Sequence, residues 1–353
     1  MTPGLRRRTG FEIELMAPPG RSRRSLAHDL AARHGGRVRP VWHSDSEPSL
    51  VPGLGRFLHL TQGFEVRRSD DSPLCTLVDD ITLLDDLQPR TPPSPGWYRV
   101  LSDDPRLLAL LARHCDPGVP LERVLDPVAA LWGVEPETVG GVVRLDDPGG
   151  ATIALAAPQG GERERPCEIV TPPIASGHLE TLEELLGPAR ELGFTVPLEA
   201  AVHLHVDGAP FRAPRALANV VLLFAHYRDA LRELLRTNPA CRRLAPLPGQ
   251  LVAAASRATP SMDELRKAAD DGELTKYFDV NLTQLLTDRP KRDTLEIRIL
   301  PGAISAADIV NQAALIELLL DRCEDPEPFP VAPTGDVSAL MEIAAEALAD
   351  RSA

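Results

Sequence analysis

Lysine is nearly absent from these 353 residues: Lys267, Lys276 and Lys291 are the only three among 38 basic side chains. Arginine, alanine and proline abound instead, which reads as a compositional habit and supports no functional inference. Cysteine is scarce. Five residues (Cys75, Cys115, Cys167, Cys241, Cys323) are scattered without a Cys-x-x-Cys pair, so reduced thiols and a cytoplasmic home are expected. No run approaches the ~18 consecutive apolar residues of a membrane span. Glu12 and Glu14 interrupt the only candidate leader after the N-terminal arginines, so no signal peptide is expected. A Gly-rich phosphate loop, a Gly-x-Ser-x-Gly elbow and a convincing Cys-His pair are all missing. The formal charge of -13 argues against nucleic acid as the main partner.

What is present is a repeated device. In Thr294-Leu295-Glu296-Ile297-Arg298-Ile299-Leu300 the apolar residues alternate with a carboxylate and a guanidinium. Period two is the strand signature, and same-face neighbours on a strand sit about 6.5 Å apart. Phe11-Glu12-Ile13-Glu14-Leu15 puts two acids opposite three apolar residues, and Val202-His203-Leu204-His205-Val206-Asp207 does the same with two imidazoles and an acid. Nine arginines against three acids in the first 39 residues read as a solvated surface in preference to an anion-attracting rim.

Along the chain, a helix is expected from about Ser25 to His34, stopping at Gly35-Gly36. Residues 41–84 read as strands and turns, with Thr76 to Leu83 the best strand and Asp79-Asp80 at its middle as a buried acidic pair or a turn. Prolines 89, 92, 93 and 95 make a stiff connector, followed by helical patterns around 106–114 and 121–132. Strands return at 142–145, 152–155 and 167–171, the last ended by Pro172-Pro173. Helices are expected at 178–192, 215–236 and 263–269, then from a Ser305 cap to about Cys323. A Pro-rich tail and a last helix over 336–350 close the chain. With 43% hydrophobic residues it can bury one large core or two modest ones. An antiparallel sheet with one polar face, its other face covered by helices, is the expected α+β arrangement.

The polar side of these strands collects Glu12, Glu14, Glu168, His203, His205, Glu296 and Arg298. Four carboxylates on one face would repel one another unless cations countered them. Hard oxygen ligands prefer magnesium or manganese, and manganese accepts imidazole. Arg298 would then offer an anion-binding fork, the equipment of a nucleoside triphosphate site. Each element also has a plain explanation as a wet strand face, so their concurrence carries the reading. At the rim, Asp79 and Asp80 could recognise an ammonium group or simply make a polar turn.

The series Gly-Phe-Glu-Ile-Glu, Glu-Ile-Val-Thr-Pro-Pro, Val-His-Leu-His-Val-Asp, Lys-Tyr-Phe-Asp-Val-Asn-Leu and Thr-Leu-Glu-Ile-Arg-Ile-Leu-Pro-Gly, in that order, resembles the amidoligase family. These are carboxylate-amine ligases with the glutamine synthetase and glutamate-cysteine ligase fold. The resemblance runs over about residues 9–322, apart from 86–140. It implies a curved, mainly antiparallel sheet backed by helices, holding ATP and two or more Mg2+ (or Mn2+) ions. Residues 1–85 and 141–323 would form a discontinuous catalytic domain. Residues 86–140 would be a helical insert or lid over the substrate, and 324–353 a Pro-rich linker and C-terminal helix. By the same resemblance Glu12, His203 and Glu296 would hold one metal, and Glu14 and Glu168 another. His205 and Arg298 would face the phosphates with Asn281, and Tyr277 would join Asp79 and Asp80 at the substrate. The family pattern has a further glutamate after the Glu168 position; here Thr-Pro-Pro follows, so Glu162 or Glu164 would have to complete the second metal.

The implied reaction forms an amide bond through an acyl phosphate, from an amino acid, peptide or small metabolite carboxylate and an amine. A homo-oligomer is compatible with it; a nucleic-acid or membrane partner is not expected. Three rival readings stand against it. A metal-dependent hydrolase built on His-x-His needs later histidines, and only His226 follows His205. A guanidino-kinase-like phosphotransferase would favour arginine-lined sites over His-x-His. A non-catalytic binding protein on a decayed ligase scaffold is weakened by the presence of every metal-type residue.

Overall fold

The computed structural model describes residues 4–51, 55–241 and 243–351, with the side chains of 45–51 and 55–56 left aside. The chain divides into two compact units. The first comprises residues 1–13, 172–186 and 198–353; the second comprises 14–171 and 187–197. The strands of both pair antiparallel and helices accompany them, so the α+β expectation holds.

In chain order the strands are β1 (Thr9–Met16), β2 (Arg37–Val51), β3 (Gly55–Arg67), β4 (Pro73–Val78), β5 (Tyr98–Ser102), β6 (Glu137–Val139), β7 (Val142–Asp146), β8 (Ile153–Pro158), β9 (Pro166–Val170), β10 (Ala201–Asp207), β11 (Val280–Asn281) and β12 (Thr294–Pro301). The helices are α1 (Arg23–Arg33), α2 (Pro105–His114), α3 (Asp126–Trp132), α4 (His178–Glu191), α5 (Pro214–His226), α6 (Arg228–Leu235), α7 (Gly249–Ala255), α8 (Met262–Asp271), α9 (Thr283–Leu286), α10 (Ala306–Glu324) and α11 (Val337–Asp350).

The first unit orders its strands β11-β12-β10-β1. The apolar residues of the alternating strands are buried as expected: Phe11, Ile13, Leu204, Leu295 and Ile297 are all at most 1% exposed. The other face is not wet, because Glu296 and Arg298 are also buried, at 8% and 9% exposure. Helix α10 starts at Ser305, whose hydroxyl accepts from the Asp308 N–H, satisfying one of the free donors of the first turn.

The single helix expected over 215–236 is two, α5 and α6, broken at Tyr227 (φ -99°, ψ 20°). The physical reason lies in the Pro-rich tail. Tyr227 is fully buried; its hydroxyl donates to Pro330 O at 3.0 Å and accepts from Ala332 N at 3.0 Å. Asn219 on α5 holds the same tail by donating to the carbonyls of Cys323, Asp325 and Glu327 and accepting from Phe329 N. The prolines in this tail leave carbonyls without helical partners, and those two side chains supply them.

The second unit orders its strands β9-β4-β3-β5-β8-β7-β6, with β2 paired along β3. Helix α1 begins two residues before its expected start, because Ser22 and Ser25 form a reciprocal capping box. It ends as expected: a Cβ on Gly36 would sit 1.8 Å from Arg67 O, so no other residue fits where α1 turns into β2. Strand β4 stops at Val78 and does not run to Leu83. Asp80 Oδ1 accepts from Thr82 N at 2.7 Å, closing a local turn. Residues 86–140 supply α2 and α3 and also β5, which lies between β3 and β8. Tyr98 and Val100 of β5 share a core with Leu111, Val128 and Val143. Among the described residues no helix is long and apolar enough to cross a membrane.

Candidate functional site

The register of four strands in the first unit assembles the site. Glu12 on β1 stands directly opposite His203 on β10, His205 opposite Glu296 on β12, and Asn281 on β11 opposite Glu296 from the far side. Paired residues in an antiparallel ladder share a face and bring their side chains within reach. One irregularity matters. Between Val202↔Leu300 and Leu204↔Ile297 the ladder shifts, so that Arg298 and Ile299 together face His203. This is a β-bulge, a device that re-aims a side chain.

The contacts are dense. Nδ1 of His203 lies 3.3 Å from Glu12 Oε2 and 3.8 Å from Glu296 Oε1. Arg298 Nη1 donates to Glu296 Oε1 in a short contact, and Asn281 Nδ2 donates to Glu296 Oε2 at 2.7 Å. Asn281 is itself oriented, its Oδ1 accepting from Thr283 N and Oγ1. Nε2 of His205 lies 3.1 Å from Glu12 Oε1, close enough for an ion pair, yet it is buried without a properly angled hydrogen bond. One ligand atom from each of Glu12, His203 and Glu296 lies within 4.8 Å of the others.

The electrostatics follow from these neighbours. Burial by itself would raise the Glu12 carboxyl, but hydrogen bonds and positive charge from His203 and His205 hold it well below the usual carboxylate range. Burial likewise opposes ionisation of Glu296, and Arg298, then His203 and His205, outweigh it and hold Glu296 low. For His205 burial disfavours the imidazolium; Glu12 and Glu296 reverse that and raise it. Both carboxylates are thus ionised and ready to act as ligands.

A donor set of two carboxylates and one imidazole suits Mg2+ or Mn2+. The unsatisfied buried Nε2 of His205 marks a place where a further ligand would be welcome. Glu12, His203, His205, Asn281, Glu296 and Arg298 are therefore brought together in the first unit. The others are placed as follows. Glu14 is buried in the second unit, where Glu168 on β9 pairs with Val78. Among the described residues no second group of three such ligands comes within 4.8 Å. Glu162 accepts from Arg165 and from Gln88 N, and Glu164 from Ser94. Asp79 is 3% exposed and accepts from Arg163 and Gln159. In the first unit Tyr277 is half-buried under the cations of Arg243 and Lys276, 5.4 and 5.2 Å from its ring centre.

Sequence reasoning missed Arg292, whose Nη1 is 3.7 Å from Glu12 Oε1. A signal was available: Lys291-Arg292 immediately precedes the alternating strand. The family described as "Putative amidoligase enzyme" matches residues 5–320. The chain belongs to that family. The match includes every element of the site and agrees with the resemblance carried by the five short motifs. No curated relative and no solved structure matches this amidoligase-family chain.

Proposed function

We propose that this protein is an ATP-dependent carboxylate-amine ligase with a glutamine synthetase-like catalytic fold, working in the cytoplasm on an amino acid, peptide or small metabolite. The observation that carries the reading is the convergence of Glu12, His203 and Glu296 with Arg298 bonded to one of them. The substrate carboxylate attacks the γ-phosphorus of ATP, giving an acyl phosphate and ADP; the amine then attacks the acyl carbon, and phosphate leaves as the amide bond forms. No protein nucleophile takes part, in keeping with the sequence.

Each residue has a task in this scheme. Glu12, His203 and Glu296 would hold a divalent ion, which supplies charge neutralisation for the phosphates when bound. Arg298, turned by the bulge and anchored on Glu296, presents the rest of its guanidinium to the transferring phosphoryl group. Buried His205 offers a donor to a phosphate oxygen. Asn281 keeps Glu296 in place for its role as ligand. Glu14 and Glu168 are proposed as ligands of a second ion. The five free thiols, four of them buried, suit a reducing compartment.

The test is ADP release from ATP and Mg2+ with a mixed pool of amino acids and short peptides, followed by mass spectrometry for a condensed product. Turnover that requires both a carboxylate and an amine is expected. ADP release equal in the presence and absence of the pool would remove the ligase reading.

A further inference from the structure

Each carboxylate of the site meets a guanidinium, but the two grips differ. Arg298 is buried and donates to Glu296. Arg292, in the loop between α9 and β12, brings Nη1 to 3.7 Å from Glu12 Oε1, beyond hydrogen-bond distance, and its side chain is 67% exposed. The backbone of that loop is pinned around it. Gln284 Oε1 of α9 accepts from Lys291 N at 2.8 Å and from Arg292 N at 3.3 Å. On the other side, Asp293 Oδ1 accepts from Arg212 Nε at 3.0 Å and Nη2 at 2.8 Å, and the Asp293 carbonyl accepts from Gly208 N. Arg292 is thus an exposed, loosely paired side chain on a fixed root, and its guanidinium is the part that can move.

An exposed ion pair of this kind adds little to stability, so its consequence is electrostatic. Glu12 belongs to the trio whose ligand atoms lie within 4.8 Å of one another. A divalent ion on Glu12 and a guanidinium 3.7 Å from the same carboxylate would repel each other, so the two compete for it. When the ion prevails, Arg292 is left without its acid beside a site that has gained positive charge. The remedy for both is an anion. The loop itself points the same way: Arg289, Lys291 and Arg292 put three exposed cations into four residues, in a chain whose net charge is -13. Such a local positive field draws in polyanions.

We propose that Arg292 is a displaceable counter-ion of the cation site: it neutralises Glu12 in the ion-free protein, yields that carboxylate to a divalent ion, and then turns its guanidinium to the phosphates of the nucleotide. This rests on the cation and nucleotide site of the ligase reading and adds a coupling to it. Binding of the ion alone costs the attraction between Arg292 and Glu12. Binding of the nucleotide replaces it with a contact between Arg292 and phosphate, for which a guanidinium fork is well shaped. Each ligand therefore favours the other, and Arg292 acts on the two with opposite sign.

The test titrates the full chain with Mn2+ in the absence of nucleotide, following free Mn2+ by electron paramagnetic resonance; the binding that Glu296→Gln abolishes identifies the site. Arg292→Gln should bind this Mn2+ about three- to fivefold more tightly, the scale of removing one exposed charge pair. Arg292→Lys, which keeps the charge, should stay near the wild-type affinity. At saturating Mn2+, calorimetric titration with ATP and no amine or carboxylate should show Arg292→Gln binding the nucleotide about tenfold more weakly, the scale of a hydrogen bond to a charged group. A merely structural role would weaken both ligands together. Unchanged or weaker Mn2+ binding in Arg292→Gln, or unchanged ATP binding, would overturn the proposal and leave the cation site standing. No Mn2+ binding by the wild-type chain would remove the cation site, and the proposal with it.

Discussion

The two units solve the same local problem with opposite charge. In the first, alternating strands present two carboxylates and answer them with nitrogen donors: His203 and His205 on Glu12, and Arg298 and Asn281 on Glu296. In the second, one buried carboxylate, Asp79, is answered by the guanidiniums of Arg163 and Arg23. A buried polar face is stable only if each group finds a partner. Where acids and imidazoles converge, the partner that fits is a hard cation; where guanidiniums enclose an acid, the acid is itself the partner. Burial and alternation look alike in both, so only the charge balance tells the two kinds of site apart.

The largest expected effect falls in the first unit. Arg298→Ala should lower ligase turnover by about 10³-fold, the scale of losing a guanidinium from a phosphoryl-transfer site. Nearly normal steady-state turnover would demote Arg298 to a structural partner of Glu296. In the second unit the corresponding cut is Asp79→Ala. It leaves buried guanidiniums without their carboxylate and should cost about 3–5 kcal/mol of stability, measured by urea unfolding. A loss under about 1 kcal/mol would mean that the arginines are already balanced elsewhere.

Next comes ligand stabilisation. Saturating Mg-ATP at a hundredfold excess over its dissociation constant should stabilise the protein by about 2.7 kcal/mol, read as a rise in Tm. Glu296→Gln should abolish most of that rise, and an undiminished shift would place the nucleotide elsewhere.

The acid limb sharpens the comparison further. Burial would raise the Asp79 carboxyl, but the charges of Arg163 and Arg23 prevail and hold it below the ordinary aspartate value. The unfolded chain therefore takes up this proton first as pH falls. Asp79 contributes its full stabilisation above about pH 4, the unfolded value, and loses it as pH drops through its lower folded value. Asp79→Asn should flatten the stability profile below about pH 4; an unaltered slope there would show that Asp79 is not held in the charged state. The smallest effect is Thr61→Val. Since its buried hydroxyl has no partner, its removal should change stability by less than about 1 kcal/mol. A larger loss by thermal or urea unfolding would mean that the hydroxyl already serves the fold.

Much of this was legible in the sequence. The alternation in 11–15, 202–207 and 294–300 determined which residues share a strand face, because side chains on a strand alternate whatever surrounds them. The Ser305 cap and the Gly35-Gly36 stop were readable for the same reason, since both are satisfied within a few residues. The five motifs in order also pointed to the family that residues 5–320 match. Tertiary structure decided everything that depends on register or distant partners. The bulge opposite His203, the buried state of Glu296 and Arg298, and the place of β5 between β3 and β8 come from neighbours far along the chain. The break at Tyr227 was invisible locally because a tail some hundred residues later makes it. Asp79 and Asp80 look like equivalent acids in sequence, yet one is enclosed by arginines and the other closes a turn. Local patterning fixes a side chain's direction; what it meets there is a property of the folded chain.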